Sequence, residues 1–231
     1  MTQELSRLDP RENLRHVDKM LSIECLEVGP FHANCYLAWS SSRQALVVDP
    51  GADAEMVFDM IARHRLDVAA YFLSHGHMDH VSALAALCDQ RPAPYAMHPA
   101  DCRWAFTAAN QMAPYYPTPR QPASPPRFLQ NNELWAIAPD LTCRIIATPG
   151  HSPGSLCAHF KDEGILFTGD TLFHDSAGRT DLPGGDSGLL MQSLAVLARL
   201  PPTTRLYPGH GSDTTLAQEL RSNPFLTPRG A

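Results

Sequence analysis

His75-Gly76-His77-Met78-Asp79-His80 puts three imidazoles and a carboxylate within six residues, directly after the apolar run Asp67-Val68-Ala69-Ala70-Tyr71-Phe72-Leu73. A buried-type strand that breaks into such a loop turns several side chains toward one point beyond the sheet edge, where α/β proteins commonly place ligand sites. Gly76 lets the backbone take a tight path between the first two histidines. Imidazole with carboxylate suits zinc, iron or manganese. One metal takes about four or five ligands, so this segment must be completed from elsewhere in the chain.

Three further segments share its grammar, each an apolar strand followed by a Gly-rich turn with one His or Asp. They are Thr148-Pro149-Gly150-His151-Ser152-Pro153-Gly154, Phe167-Thr168-Gly169-Asp170-Thr171 and Tyr207-Pro208-Gly209-His210-Gly211. Alone, Asp170 reads as a turn cap and His210 as a solvated loop residue. Beside a loop that already carries four donors, the three together point to a metal centre. His16, His32, His64, His98, His159 and His174 have no such context and read as surface histidines.

Working outward, 22–28, 34–40 and 44–49 read as strands joined by short turns. Asp53 is expected to cap a helix over 54–65, with Met56, Met60 and Ile61 on one face. Residues 67–73 predict a strand, 81–90 a helix, 93–98 a strand and 99–110 a helix with Pro99 in its first turn. The stretch 113–126 contains six prolines, so it predicts a long loop or flap. Strands are expected again at 141–147, 155–160 and 165–169, then a helix at 188–200, a strand and loop at 204–211 and a short helix near 213–221. Meandering strands that give way to alternating strands and helices, twice over, suit two stacked sheets with helices on the outer faces. Residues 1–20 read as a polar N-terminal extension and 21–231 as one domain.

Composition narrows the function classes. The 231 residues carry a formal net charge of −6 with no basic run, which argues against a nucleic-acid partner. No apolar stretch is long enough to predict a membrane span, and the charged N-terminus lacks the apolar core of a secretory signal. The expected location is therefore the cytoplasm. The six cysteines, Cys25, Cys35, Cys88, Cys102, Cys143 and Cys157, form no C-x-x-C pair. They read as small buried hydrophobes in a reducing compartment.

The H-x-H-x-D-H loop, T-P-G-H-S-P-G-S at 148–155, F-T-G-D-T-L-F at 167–173, G-R-T-D-L-P-G-G-D at 178–186 and Y-P-G-H-G at 207–211 resemble the metallo-β-lactamase superfamily. The similarity is greatest to its glyoxalase II (hydroxyacylglutathione hydrolase) branch, and extends to V-V-D-P-G at 47–51 and N-P-F-L at 223–226. The resemblance implies an αββα sandwich, two mixed sheets face to face with helices outside. It implies that His75, His77 and His151 hold one metal, that Asp79, His80 and His210 hold a second, and that Asp170 bridges them. Asp49 would fix the ligand loop from behind. Zinc is the expected metal, with iron or manganese as alternatives. Classical glyoxalase II binds the glutathione part with a C-terminal helical region. This chain ends soon after N-P-F-L and is similar to short members of the branch. Substrate contacts are therefore expected from 113–126, from 172–186 or from a neighbouring subunit in a homodimer.

Two cations about 3.5–4 Å apart can share one hydroxide for attack on a carbonyl. The expected reaction is hydrolysis of a small-molecule thioester of the hydroxyacylglutathione type, with Asp79 orienting the nucleophile. Arg179 is a candidate for an anionic group of the substrate, against the alternative of an ion pair with Asp181. Tyr115 and Tyr116 are candidate substrate contacts, against the alternative of surface packing, the commoner role for such residues. The rival reading is a mononuclear-iron persulfide dioxygenase, a branch that shares G-R-T-D, and a lactonase-type hydrolase is a further alternative.

Overall fold

Strands covered by helices on one face and by a second sheet on the other are apolar on both sides, and so read as continuous hydrophobic runs. Gln44–Val48 is such a strand: Leu46 and Val48 point into one apolar cluster, Ala45 and Val47 into another. The computed structural model describes residues 21–227; the extension expected over 1–20 lies outside the described residues, as do 228–231.

The first sheet has the order β1-β2-β3-β4-β5-β6. Its strands β1 (Ser22–Val28), β2 (Ala33–Trp39) and β3 (Gln44–Val48) form an antiparallel meander. Then β4 (Asp67–Phe72), β5 (Tyr95–Met97) and β6 (Arg127–Phe128) add in parallel. Helices α1 (Ala54–Arg63), α2 (Met78–Val81), α3 (Leu84–Gln90) and α4 (Pro99–Ala105) make the crossovers. The second sheet, β14-β13-β10-β9-β8-β7, contains β7 (Leu134–Ala138), β8 (Leu141–Ala147), β9 (Leu156–Phe160) and β10 (Ile165–Gly169). The small hairpin of β11 (Leu172–Phe173) and β12 (Ser176–Ala177) follows. Helix α5 (Ser187–Leu197) then leads to β13 (Arg205–Pro208), parallel to β10. The short β14 (Thr214–Thr215) and α6 (Leu216–Ser222) come last.

Three apolar layers hold this together. Between the sheets, Tyr36, Leu46, Val48 and Phe72 meet Trp135, Ile145, Phe160 and Phe167. Outside the first sheet, Leu37, Val47 and Tyr71 pack under Val57, Met60, Ile61, Leu84 and Leu87. Outside the second, Ile146, Leu166 and Leu206 pack under Leu190, Leu194 and Leu197. Each large side chain buried in this way contributes about 1.5–3 kcal/mol. The result is the αββα arrangement expected from the sequence.

Local differences have local causes. Asp53 does not cap α1: its backbone is left-handed (φ 50°), and its carboxylate instead accepts from Gly29 N at 2.7 Å. The buried face of α1 is Val57, Met60 and Ile61, while Met56 is exposed. Helix 81–90 begins earlier, as the α2 turn, and is interrupted before α3. The helix over 99–110 ends at Ala105, and 108–110 form a separate 3-10 turn, with the Asn110 amide donating to Gly76 O and Ala105 O. Strands β6 and β7 escaped the sequence reading. In β7, an edge strand, only Trp135 is fully buried, so its hydrophobic pattern is weak.

His159 is buried, not surface-exposed, because β9 has a strand on either side. His98 is half-buried and accepts from Ala100 N at the start of α4, and half-buried His64 stacks on Trp39. Among the cysteines, Cys35, Cys143 and Cys157 are buried, but Cys25 is exposed on β1; all six are free thiols.

Candidate metal centre

Four strands running toward one end of the sandwich deliver the donors. His75 and His77 follow β4, His151 follows β8, Asp170 follows β10 and His210 follows β13. Asp79 and His80 do not lie in loop, as expected, but on the single turn α2, for which His77 is the extended N-cap residue. The turn is held close by the segment after β3. Ala83 N donates to Pro50 O at 3.0 Å, and a Cβ on Gly51 would lie 1.5 Å from Asp79 O.

The seven side chains converge. The ring centre of His75 lies 4.9 Å from that of His77, 4.2 Å from His80 and 4.8 Å from His151. His77 Nδ1 is 2.9 Å from His151 Nε2, and His80 Nε2 is 3.3 Å from His210 Nε2. Asp79 Oδ2 is 3.3 Å from His210 Nε2. Asp170 sits between the groups, with Oδ2 3.5 Å from His151 Nε2 and Oδ1 3.5 Å from His80 Nε2. Among the described residues four sets of three have donors close enough to share an ion. Two are the expected His75, His77 and His151, and Asp79, His80 and His210; a third is Asp49, His75 and His80, and the fourth, His174, Asp175 and Glu219, lies apart from the expected ligands. His75 Nε2 and Asp170 Oδ1 are buried without a hydrogen-bond partner, which normal interiors avoid.

Hydrogen bonds behind the rings decide which nitrogen faces inward. Ser74 Oγ gives its proton to Asp49 Oδ2 (2.6 Å), so at 3.0 Å it accepts from His75 Nδ1 and leaves Nε2 as a lone pair. His151 Nδ1 donates to Arg179 O (2.8 Å), and His80 Nδ1 donates to Asp49 Oδ2 (3.2 Å). Asp49 thus stands where the resemblance puts it, behind the ligand loop, and also accepts from Ser74 N. Burial, then the neighbouring imidazoles, pushes His75 well below the usual histidine range and His77 down to about 3. Burial opposes charge on His80 too, but Asp79, Asp170 and Asp49 outweigh it and lift its pKa to about 10. Asp79, despite burial, is held below the usual carboxylate range by His80 and His210.

Asp101 was not singled out in the sequence. Wholly buried in the first turn of α4, it accepts from Gly76 N (2.9 Å), Ser152 Oγ (2.6 Å) and Gly154 N (2.7 Å). One carboxylate therefore joins the His75–His77 loop to the His151 loop. In sequence it is an ordinary acidic residue of a helix start, and no local signal distinguishes it. On the other side, Asn34 Nδ2 donates to Pro208 O and Gly211 O and brackets His210. A Cβ on Gly209 would lie 2.1 Å from Asp170 Oδ1, so only glycine lets this turn pass the cluster.

Comparison with known proteins agrees with this geometry. The family profile described as "Metallo-beta-lactamase superfamily" matches residues 28–210. The chain belongs to the metallo-β-lactamase superfamily. That superfamily consists mostly of hydrolases and binds divalent metals, typically two. The hydroxyacylglutathione hydrolase GloC of Haemophilus influenzae is 34% identical over 208 residues, covering 89% of this chain and 98% of the relative. Among solved structures, the BLEG-1 B3 metallo-β-lactamase superposes with a TM-score of 0.82 at 36% identity, covering 89% of this chain and 100% of the other. The di-iron-bound form of TTHA1623 gives 0.79 at 35%, covering 88% and 100%.

In this chain the cluster forms the floor of a cavity of about 770 Å³. Residues of the expected loop 172–186 contribute to its wall, among them Phe173, Ala177, Arg179 and Leu182. Tyr115 and Tyr116 do not line it. Tyr116 is buried, Tyr115 is exposed, and both rings back Phe31, which does line the cavity, at 5.2 and 5.6 Å. The proline-rich stretch thus acts one layer behind the wall. Arg179 reaches the rim, but its guanidinium grips Asp181 with Nε–Oδ1 at 2.6 Å and Nη2–Oδ2 at 2.7 Å. Phe31, Trp104, Met112 and Phe173 also line the cavity; aromatic and methionine side chains in separate segments carry no sequence signal of a shared wall.

Proposed function

We propose that the chain is a metal-dependent thioester hydrolase, with hydroxyacylglutathiones as the first substrate class to test. The observation that carries this reading is the convergence of seven His and Asp side chains around the unpartnered His75 Nε2 and Asp170 Oδ1. His75, His77 and His151 would hold one ion, Asp79, His80 and His210 a second, with Asp170 shared. The donor set of nitrogen and carboxylate oxygen suits zinc, and equally iron or manganese. A divalent pair there supplies an activated water near neutral pH and Lewis acidity toward a carbonyl oxygen.

The chain's own residues do the rest. Asp79, whose Oδ2 lies 3.3 Å from His210 Nε2, would accept a hydrogen bond from the attacking water and orient it. Asp49, Ser74 and the Arg179 carbonyl keep the inward-facing nitrogens of His80, His75 and His151 aimed at the cluster. Thiolate is a good leaving group, so thioester cleavage needs no separate general acid. Six free thiols favour a reducing compartment, and the cytoplasm is the proposed location.

The test is turnover of purified, metal-analysed protein on S-D-lactoylglutathione and on glutathione persulfide. Thiol release from the thioester, with two metals bound per chain, is the expected result. Oxygen uptake on the persulfide with a single bound iron would replace the hydrolase by the dioxygenase reading.

A further inference from the structure

Above the donor cluster, the cavity wall consists largely of Phe31, Met78, Trp104, Met112, Phe173 and Leu182. Two of the aromatic rings flank the reactive floor at opposite ends: Trp104 lies 5.2 Å from His77, and Phe173 lies 6.2 Å from His210. Phe31 is held in place by Tyr115 and Tyr116 behind it. Two side-chain amides beside this wall make hydrogen bonds within the chain. Asn110 Nδ2 donates to two backbone carbonyls, and Gln111 Oε1 accepts from Thr118 Oγ1. Apart from the histidines of the floor, Arg179 is the single cationic side chain among the described residues that line the cavity, and its fork is closed on Asp181.

Such a wall rewards apolar area. Burying methylene groups against it gains free energy in proportion to the area covered, whereas a carboxylate gains only where a free cation or donor meets it. Glutathione carries two carboxylates, and among the described residues the wall has no unengaged Arg or Lys for either. We infer that this site selects its substrate by an apolar, uncharged acyl group lying against Phe31, Trp104, Met112 and Phe173, and that it does not grip the thiol carrier through carboxylates. The Arg179–Asp181 pair then acts as a specificity element: by neutralising the rim cation it keeps the site indifferent to the charge of the carrier. This rests on the hydrolase reading for turnover, but the wall makes the same prediction for simple binding.

The experiment uses the metal-replete chain and two thioester series. On the glutathione carrier, hexanoyl should exceed lactoyl in kcat/KM by about tenfold or more. With hexanoyl fixed, glutathione and the uncharged carrier N-acetylcysteamine should differ by no more than about threefold. Asp181→Asn, which frees the Arg179 fork, should raise kcat/KM for the glutathione carrier over the uncharged one by more than that margin. Independently of catalysis, hexanoate should bind about tenfold or more tightly than acetate, read by quenching of tryptophan fluorescence and absent in Trp104→Phe. Equal use of lactoyl and hexanoyl groups, or a tenfold preference for the glutathione carrier in the unmodified chain, would overturn the inference. If no thioester is cleaved, the hydrolase reading falls, and the hexanoate-to-acetate ratio alone decides the character of the wall.

Discussion

At one end of the cluster three imidazoles, His75, His77 and His151, face one another, with Asp170 as the nearest carboxylate. At the other end His80 lies among Asp49, Asp79 and Asp170, and His210 adds a second imidazole. The same residue types thus meet opposite electrostatics. Burial and mutual repulsion keep His75 and His77 as neutral imidazoles, so each offers one lone pair at neutral pH. The carboxylates around His80 hold a proton there, which an incoming cation must displace. One end is ready to bind; the other is an ion-paired network that stays satisfied until a metal replaces its protons.

Substitution of the shared residue breaks the comparison most completely. Asp170→Ala should abolish turnover and lower metal content at both ends, because its carboxylate approaches His80, His151 and His210. His77→Ala should also abolish turnover but leave about half of the metal, because it disturbs one three-donor set. Metal analysis beside the thioester assay checks both. Full metal and retained activity in either variant would remove that residue from the ligand set.

Asp101→Asn is a smaller perturbation aimed at the three-imidazole end. It replaces a carboxylate that takes three donors from the two loops carrying His75, His77 and His151. Metal affinity should drop about tenfold, as for other groups that support ligands from behind. Stability in urea should fall by about 1–3 kcal/mol. An unchanged affinity would mean that the loops hold their geometry without this link.

The subtlest outcome concerns protons. With His80 lifted to about 10, the metal-free protein carries its proton at pH 7 and loses it only as the pH rises through that value. Filling the Asp79–His80–His210 end should therefore release about one proton per chain at neutral pH, and binding there should weaken as the medium is acidified. A pH indicator in weak buffer during metal titration reads this directly. Release on filling the three-imidazole end instead would invert the comparison.

Most of the longer strands, the major helices and the four ligand-bearing segments were legible because their signals are local. Leu46 and Val48 belong to an unbroken apolar run, and His75 to His80 crowd four donors into a single loop and turn. Strand β7 was not legible, since an edge strand with a single fully buried residue leaves almost no pattern. For Tyr115 and Tyr116 the sequence left substrate contact and surface packing both open, for a related reason. Aromatic residues in a proline-rich loop look available in sequence, and only packing shows that Phe31 stands between them and the cavity.

By itself the sequence determined the donor chemistry, the strand ends that carry it and the layered α/β architecture, because residue type and hydrophobic period act over a few neighbouring positions. The tertiary structure alone decided which nitrogen of each ring faces inward, that Asp101 ties two distant loops, and that Arg179 is closed on Asp181. These depend on distances between segments far apart in the chain, and such distances are set only when the two sheets pack and bring their strand ends to one edge.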